Sequence, residues 1–123
     1  MRRIFLISLV AIACSIVLPV AAADEMNGTW SGPWYRGMTS GIMTLEIDAS
    51  GKSMIRFTNL ESFGEDAVAV SGMKIEQTAL KFSAVGAGAG VFVASSRLTS
   101  DGKVIKGTAE FEGFPIEFKL KRR

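Results

Sequence analysis

The chain has 123 residues, with 14 Lys and Arg against 12 Asp and Glu, no His and one Cys. That is the length of a single domain. Without His there is no Ser-His-Asp triad and no ordinary His-ligated zinc, and with the lone Cys14 placed in a leader, the rest of the chain has neither disulfides nor thiol nucleophiles.

The first 23 residues read as a cleaved secretory signal. Arg2 and Arg3 form a positive start, and an apolar run from Ile4 to Leu18 follows. Pro19 and the small residues Ala21-Ala22-Ala23 precede Asp24, the layout a signal peptidase recognises. The run covers about 15 residues, short of the ~20 that span a bilayer. A helical signal peptide over 1–23 and one domain over 24–123 is therefore expected, with a periplasmic or secreted product. The rival reading is an uncleaved membrane anchor, which the short run argues against; a further one is a surface lipoprotein anchored through Cys14, against which Ala11 stands where that motif usually has Leu and apolar residues continue past the Cys. Losing Arg2 and Arg3 leaves 12 basic residues against 12 acidic ones. A neutral surface argues against general nucleic-acid binding.

From Asn27 onward the hydrophobic pattern alternates with period two, and turn residues recur every eight to twelve positions, which is the all-β signature. Strand one is expected at Gly28 to Arg36, with Trp30, Gly32 and Trp34 on one face. Gly37 to Ser40 reads as a turn. Strand two, Gly41 to Asp48, places Met43, Leu45 and Ile47 together. Ala49 to Lys52 turns the chain into strand three, Ser53 to Asn59, with Ile55 and Phe57 inward. Leu60 to Asp66 is an irregular connection with three acids around Phe63. Strand four, Ala67 to Ile75, is interrupted by Gly72, the mark of a bulge or a close backbone approach. Strand five is Ala79 to Val85, with Leu80 and Phe82 inward. After Gly86-Ala87-Gly88-Ala89-Gly90 come strand six, Val91 to Thr99, strand seven, Val104 to Phe111, and strand eight, Pro115 to Lys121. Asp101-Gly102 between six and seven is a hairpin signal, both residues tolerating positive φ.

Tight turns exclude parallel neighbours, which need crossovers of a dozen residues or more. The fold expected is an all-β, eight-stranded antiparallel up-and-down meander. Closing strand eight onto strand one removes both exposed edges and makes a barrel. Such a barrel holds its own side chains or one small ligand.

The stretches Gly28-Thr29-Trp30-Ser31-Gly32, Leu80-Lys81-Phe82, Asp101 to Thr108 and Pro115 to Leu120 together resemble a small calycin-like domain of bacterial exported proteins. Gly28-Thr29-Trp30 is similar to the opening of lipocalin and avidin-like barrels. The resemblance spans nearly all of Asn27 to Arg122 and rests on turn and core residues. It implies a small barrel fold, found alone or ahead of hydrolase domains, and says almost nothing of activity. The further tryptophans and polar set of an avidin are missing, so no biotin-binding residue is carried over; the cysteines and length of a typical lipocalin are missing too.

The candidate ligand contacts are Trp30, Trp34, Tyr35, Met43, Phe57, Phe82 and Phe92. Trp30 doubles as a structural plug at one barrel end. Trp34 and Tyr35 fall on opposite faces, so one of them meets solvent near a barrel mouth. The Gly86 to Gly90 loop lacks the helix, Lys and Ser/Thr of a phosphate cradle; it is a hairpin loop, with a lid over an apolar mouth as the functional version. Glu46 and Asp48 share a face, the arrangement acid-base work would use if one were desolvated. Glu61, Glu65 and Asp66 lack the spacing of a calcium loop. No catalytic residue, metal or cofactor is assigned. The expected function is binding without catalysis, of a small apolar ligand inside or an envelope protein outside. The alternative is a hydrolase-associated or free-standing enzyme using carboxylates.

Overall fold

The computed structural model describes residues 26–48, 52–61 and 63–123. The expected signal helix over 1–23, Cys14, and most of the Ala49 to Lys52 turn lie outside these residues. Eight strands follow in order: β1 Gly28–Arg36, β2 Thr39–Ile47, β3 Met54–Phe57, β4 Val68–Glu76, β5 Ala79–Val85, β6 Val91–Leu98, β7 Val104–Phe111 and β8 Phe114–Arg122. Each pairs antiparallel with its neighbours, and β8 returns to β1, closing the barrel. The narrowest seam is between β3 and β4, where only Met54 with Ala69 and Ile55 with Val68 are paired.

The alternation read from the sequence becomes inside and outside. In β6, residues alternate exposed and buried over the whole strand. Along β2, Met43, Leu45 and Ile47 are buried, as are Ile116, Phe118 and Leu120 along β8. Closure depends on a missing side chain. A Cβ on Gly32 would lie 1.9 Å from the Lys119 carbonyl oxygen, so only glycine lets β8 approach β1 at this point. The expected bulge in β4 is present, as the β4–β5 register shifts between Ser71 and Lys74 and Gly72 has φ of 60°.

Several boundaries differ from the sequence reading. β2 starts at Thr39, because Gly37 and Met38 alone form the first turn, with φ of 59° at Gly37. β3 is only four residues long. Before it, the Ser53 hydroxyl accepts from the Asp48 N–H (3.0 Å); after it, Asn59 turns away at φ 62°. In the β6–β7 turn only Gly102 takes positive φ. Asp101 instead accepts from the Thr99 hydroxyl (2.6 Å) and from the Lys103 N–H (3.0 Å), a side-chain-capped turn of the kind Asp favours.

The meander gives the barrel two unlike ends. The lower end carries Met26, Trp30 and Arg122. The upper end carries the β1–β2 turn, the Thr58 to Ala67 connection, the Gly86 to Gly90 loop and the Glu112-Gly113 turn.

Candidate functional site

Six of the seven candidate contacts lie inside the barrel. Trp30, Trp34, Met43, Phe57 and Phe92 are fully buried and Phe82 nearly so. Tyr35 is the exception. It is half exposed on the outer face of β1, across the strand from Trp34, as the opposite-face reading requires. The interior six belong to one core cluster. Phe57 packs edge-on against Phe92 with ring centroids 4.8 Å apart, and Phe82 lies 6.2 Å from Phe92. An eight-stranded barrel is just wide enough for side chains to fill, and these aromatics, with Leu45, Ile55, Leu80, Ile105 and Leu120, occupy that width.

Trp30 closes the lower end. Its Nε1 donates to the Met26 carbonyl (2.9 Å), and the Arg122 guanidinium lies 4.3 Å over its ring. Arg122 also donates to the Asn27 carbonyl, so the end of β8 fastens the entry to β1. A buried indole needs a partner for its one donor, and the Met26 carbonyl supplies it.

Phe63 closes the upper end, and the sequence reading did not single it out. The Leu60 to Asp66 connection dips so that Leu60 and Phe63 are buried. The Phe63 ring stands edge-on to Phe57 at 4.6 Å and to Phe111 at 5.7 Å. Trp34 ties the connection to the wall, its Nε1 donating to the Thr58 carbonyl (3.0 Å). The glycine loop, expected as a hairpin or a lid, sits on top of this plug. Ala87 N–H donates to the Phe63 carbonyl (2.9 Å), and a Cβ on Gly86 would come within 2.7 Å of the Phe63 Cα. The loop is thus clamped to the plug through a backbone bond and a close approach that only glycine permits. The one available signal for Phe63 was a large aromatic inside an otherwise polar connection.

Outside, large apolar side chains gather toward the upper end. Met38 is fully exposed at the tip of the β1–β2 turn, and Tyr35, Val85, Val91, Val93 and Phe114 are each about half exposed. Phe114 follows the Glu112-Gly113 turn as the first residue of β8, and the Arg36 guanidinium covers one side of it at 5.5 Å. Two grooves open on the outer wall. One of about 600 Å³ crosses β1–β3 and is lined by residues that include Ser31, Thr44, Arg56, Thr58, Glu65 and Arg123. The other, about 710 Å³, crosses β5–β8 beside the Gly72 bulge, over Lys81, Ser83, Val93, Ser95, Thr108 and Glu110.

Charged chemistry stays on the surface. Every described Asp and Glu is exposed, Glu46, Asp48, Glu61, Glu65 and Asp66 included. Among the described residues no three acidic, Cys or His side chains converge as a metal site, and no buried side-chain polar atom lacks a hydrogen-bond partner. Two hydrogen bonds hold the Asp101 carboxyl below its usual 3.8, first that from the Thr99 hydroxyl and then that from the Lys103 N–H. This is turn capping on an exposed hairpin.

No family model, curated protein or solved structure matches the chain. The fold defines a closed, eight-stranded antiparallel meander barrel with a buried aromatic side chain at each end.

Proposed function

We propose that this protein is a calycin-like barrel, exported after cleavage behind Ala23, that acts as a binding module without catalysis and meets an envelope protein on its outer surface. The observation that carries this reading is the contrast between a plugged interior and an apolar rim. A small ligand inside would have to displace Phe63 or Trp30 from fully buried positions, each a loss of several kcal/mol by analogy with core truncations (about 3–5 kcal/mol). The rim around Tyr35, Met38 and Phe114 is open, and clustered exposed aromatic and Met side chains are what contact surfaces are built from. In this reading Trp30, Trp34, Met43, Phe57, Phe82 and Phe92 are core, and Tyr35 keeps a contact role. The exposed carboxylates favour binding over the enzyme alternative, because acid-base catalysis calls for a desolvated carboxyl.

The test uses a photo-crosslinking side chain at Met38 in the exported protein, expressed in its own producing cells. One discrete protein adduct is expected, lost when Tyr35→Glu and Phe114→Glu are combined while the melting temperature stays the same. No adduct, or one indifferent to the rim charges, would contradict the proposal. The mature mass is expected to begin at Asp24; a lipidated Cys14 terminus would instead establish the lipoprotein alternative.

A further inference from the structure

We infer that the groove on the outer wall of β1–β3 is an oxyanion site, with Arg56 and Arg123 as its cations and the hydroxyls of Ser31, Thr44 and Thr58 as its donors. The site is independent of the apolar rim. It arises from register alone. Ser31 pairs with Thr44, and Thr44 with Arg56, so the three project from one face in a row across three strands. Lys121 of β8 faces Ser31 from the other side. Neighbouring strands lie about 4.8 Å apart, so the row sets Lys121 and Arg56 some 14 Å apart at the backbone, with the hydroxyls of Ser31 and Thr44 between them, and Arg123, two residues beyond Lys121, lines the groove with Arg56.

The donors are available. Ser31 Oγ and Thr44 Oγ1 are half-buried in the wall and 3.4 Å apart, a long contact that leaves donor capacity facing the groove. Thr58 Oγ1 accepts from the Ile42 N–H (2.9 Å), which leaves its own O–H to donate. Among the described residues, neither the Arg56 nor the Arg123 guanidinium is engaged by a hydrogen bond, ion pair or ring. The Arg123 backbone is nonetheless held, its N–H donating to the Thr29 carbonyl (2.9 Å). Among the described residues lining the groove, Glu65 alone has an acidic side chain. A planar guanidinium beside convergent hydroxyls suits the tetrahedral or planar oxygens of phosphate, sulfate or carboxylate. The volume of about 600 Å³ also admits the group that carries the anion.

The test titrates the isotope-labelled mature protein with inorganic phosphate and with sulfate, at constant ionic strength held with chloride, and follows backbone amide shifts. Saturable shifts confined to Ser31, Thr44, Arg56, Thr58 and their neighbours are expected. Arg56→Gln is expected to weaken binding about tenfold, the loss of one charge-assisted contact, with an unchanged melting temperature. Lys74→Gln, on the outer face of β4, is expected to leave binding as it was. Shifts that grow linearly and appear equally at Lys74 and Lys106 would overturn the site, as would an Arg56→Gln variant that binds like the parent. Vesicles of phosphatidylglycerol set against phosphatidylcholine identify the source. Retention by the anionic vesicles, lost in Arg56→Gln, marks a lipid headgroup; saturable phosphate binding without retention marks a soluble oxyanion.

Discussion

Replacing Phe63 with Ala removes the upper plug and tests whether the interior is as full as its contacts indicate. Phe63 is fully buried, and burying a Phe contributes about 1.5–3 kcal/mol. Its ring meets Phe57, Phe111 and Phe92 with centroids 4.6, 5.7 and 6.3 Å apart, all edge-on, and such pairs add about 0.5–1.5 kcal/mol each, the closest most. These contributions total about 3–7.5 kcal/mol, and the overlap with the roughly 3–5 kcal/mol range of Phe→Ala changes in cores gives an expected loss of about 4 kcal/mol. For a domain of this size that corresponds to a melting temperature lower by roughly 15–30 °C. Urea unfolding reads the loss directly, through a lower midpoint at an unchanged slope. The vacated space is lined by Phe57, Phe92 and Phe111, so it is apolar, and apolar cavities of this kind stay dry and take up benzene. Saturating benzene is therefore expected to raise the melting temperature of Phe63→Ala and to leave the parent protein unmoved. A loss below about 1 kcal/mol, which is ordinary for any substitution, would refute the reasoning. So would an equal benzene shift in the parent, since the interior would then already hold a cavity.

Three further predictions concern the seam, the lower plug and one hairpin. Gly32→Ala places a Cβ 1.9 Å from the Lys119 carbonyl, so β1 and β8 must separate; a loss of about 2 kcal/mol or more is expected in urea unfolding, and a neutral result would mean the seam is not closed there. Trp30→Phe keeps a ring under Arg122 but leaves the Met26 carbonyl without its donor, with an expected loss of about 1–3 kcal/mol, read as a lower urea midpoint. Asp101 has a folded pKa below its ordinary value, so its contribution to stability is complete above about pH 4 and disappears as pH falls through the lower folded value. The difference in melting temperature between parent and Asp101→Asn is then expected to be largest near neutrality and to shrink on acidification, measured by thermal scans at several pH values; a difference that widens in acid would contradict the sign.

The barrel wall was legible because each strand has one face against the core, so burial writes itself into alternate positions. That is why Met43-Leu45-Ile47 and Ile116-Phe118-Leu120 read correctly, and why Trp34 and Tyr35 parted to opposite faces. Phe63 was not legible. It sits among Glu61, Glu65 and Asp66, which read as solvent, and only the open upper end of a finished barrel gives its ring a place to go. Phe114 misleads in the opposite direction. Period two would turn it inward with Ile116, but it opens β8 directly after the Glu112-Gly113 turn, where both residues take positive φ, and its ring lies outside under the Arg36 guanidinium. The oxyanion groove is invisible locally for a third reason: Ser31, Thr44 and Arg56 are each ordinary outer-face residues on separate strands, and only their cross-strand register makes a row. The glycine loop was legible as a loop, whereas its clamp on Phe63 depends on two segments distant in sequence.

The central claim is that partners are met outside a barrel that its own side chains fill. The most direct measurement is the native mass of the mature protein, purified from its producing cells without denaturation. The account predicts the mass of the bare polypeptide, or of a stoichiometric complex with another protein that dissolves when Tyr35 and Phe114 are made acidic. A small apolar molecule retained in stoichiometric amount, and released only on unfolding, would contradict it.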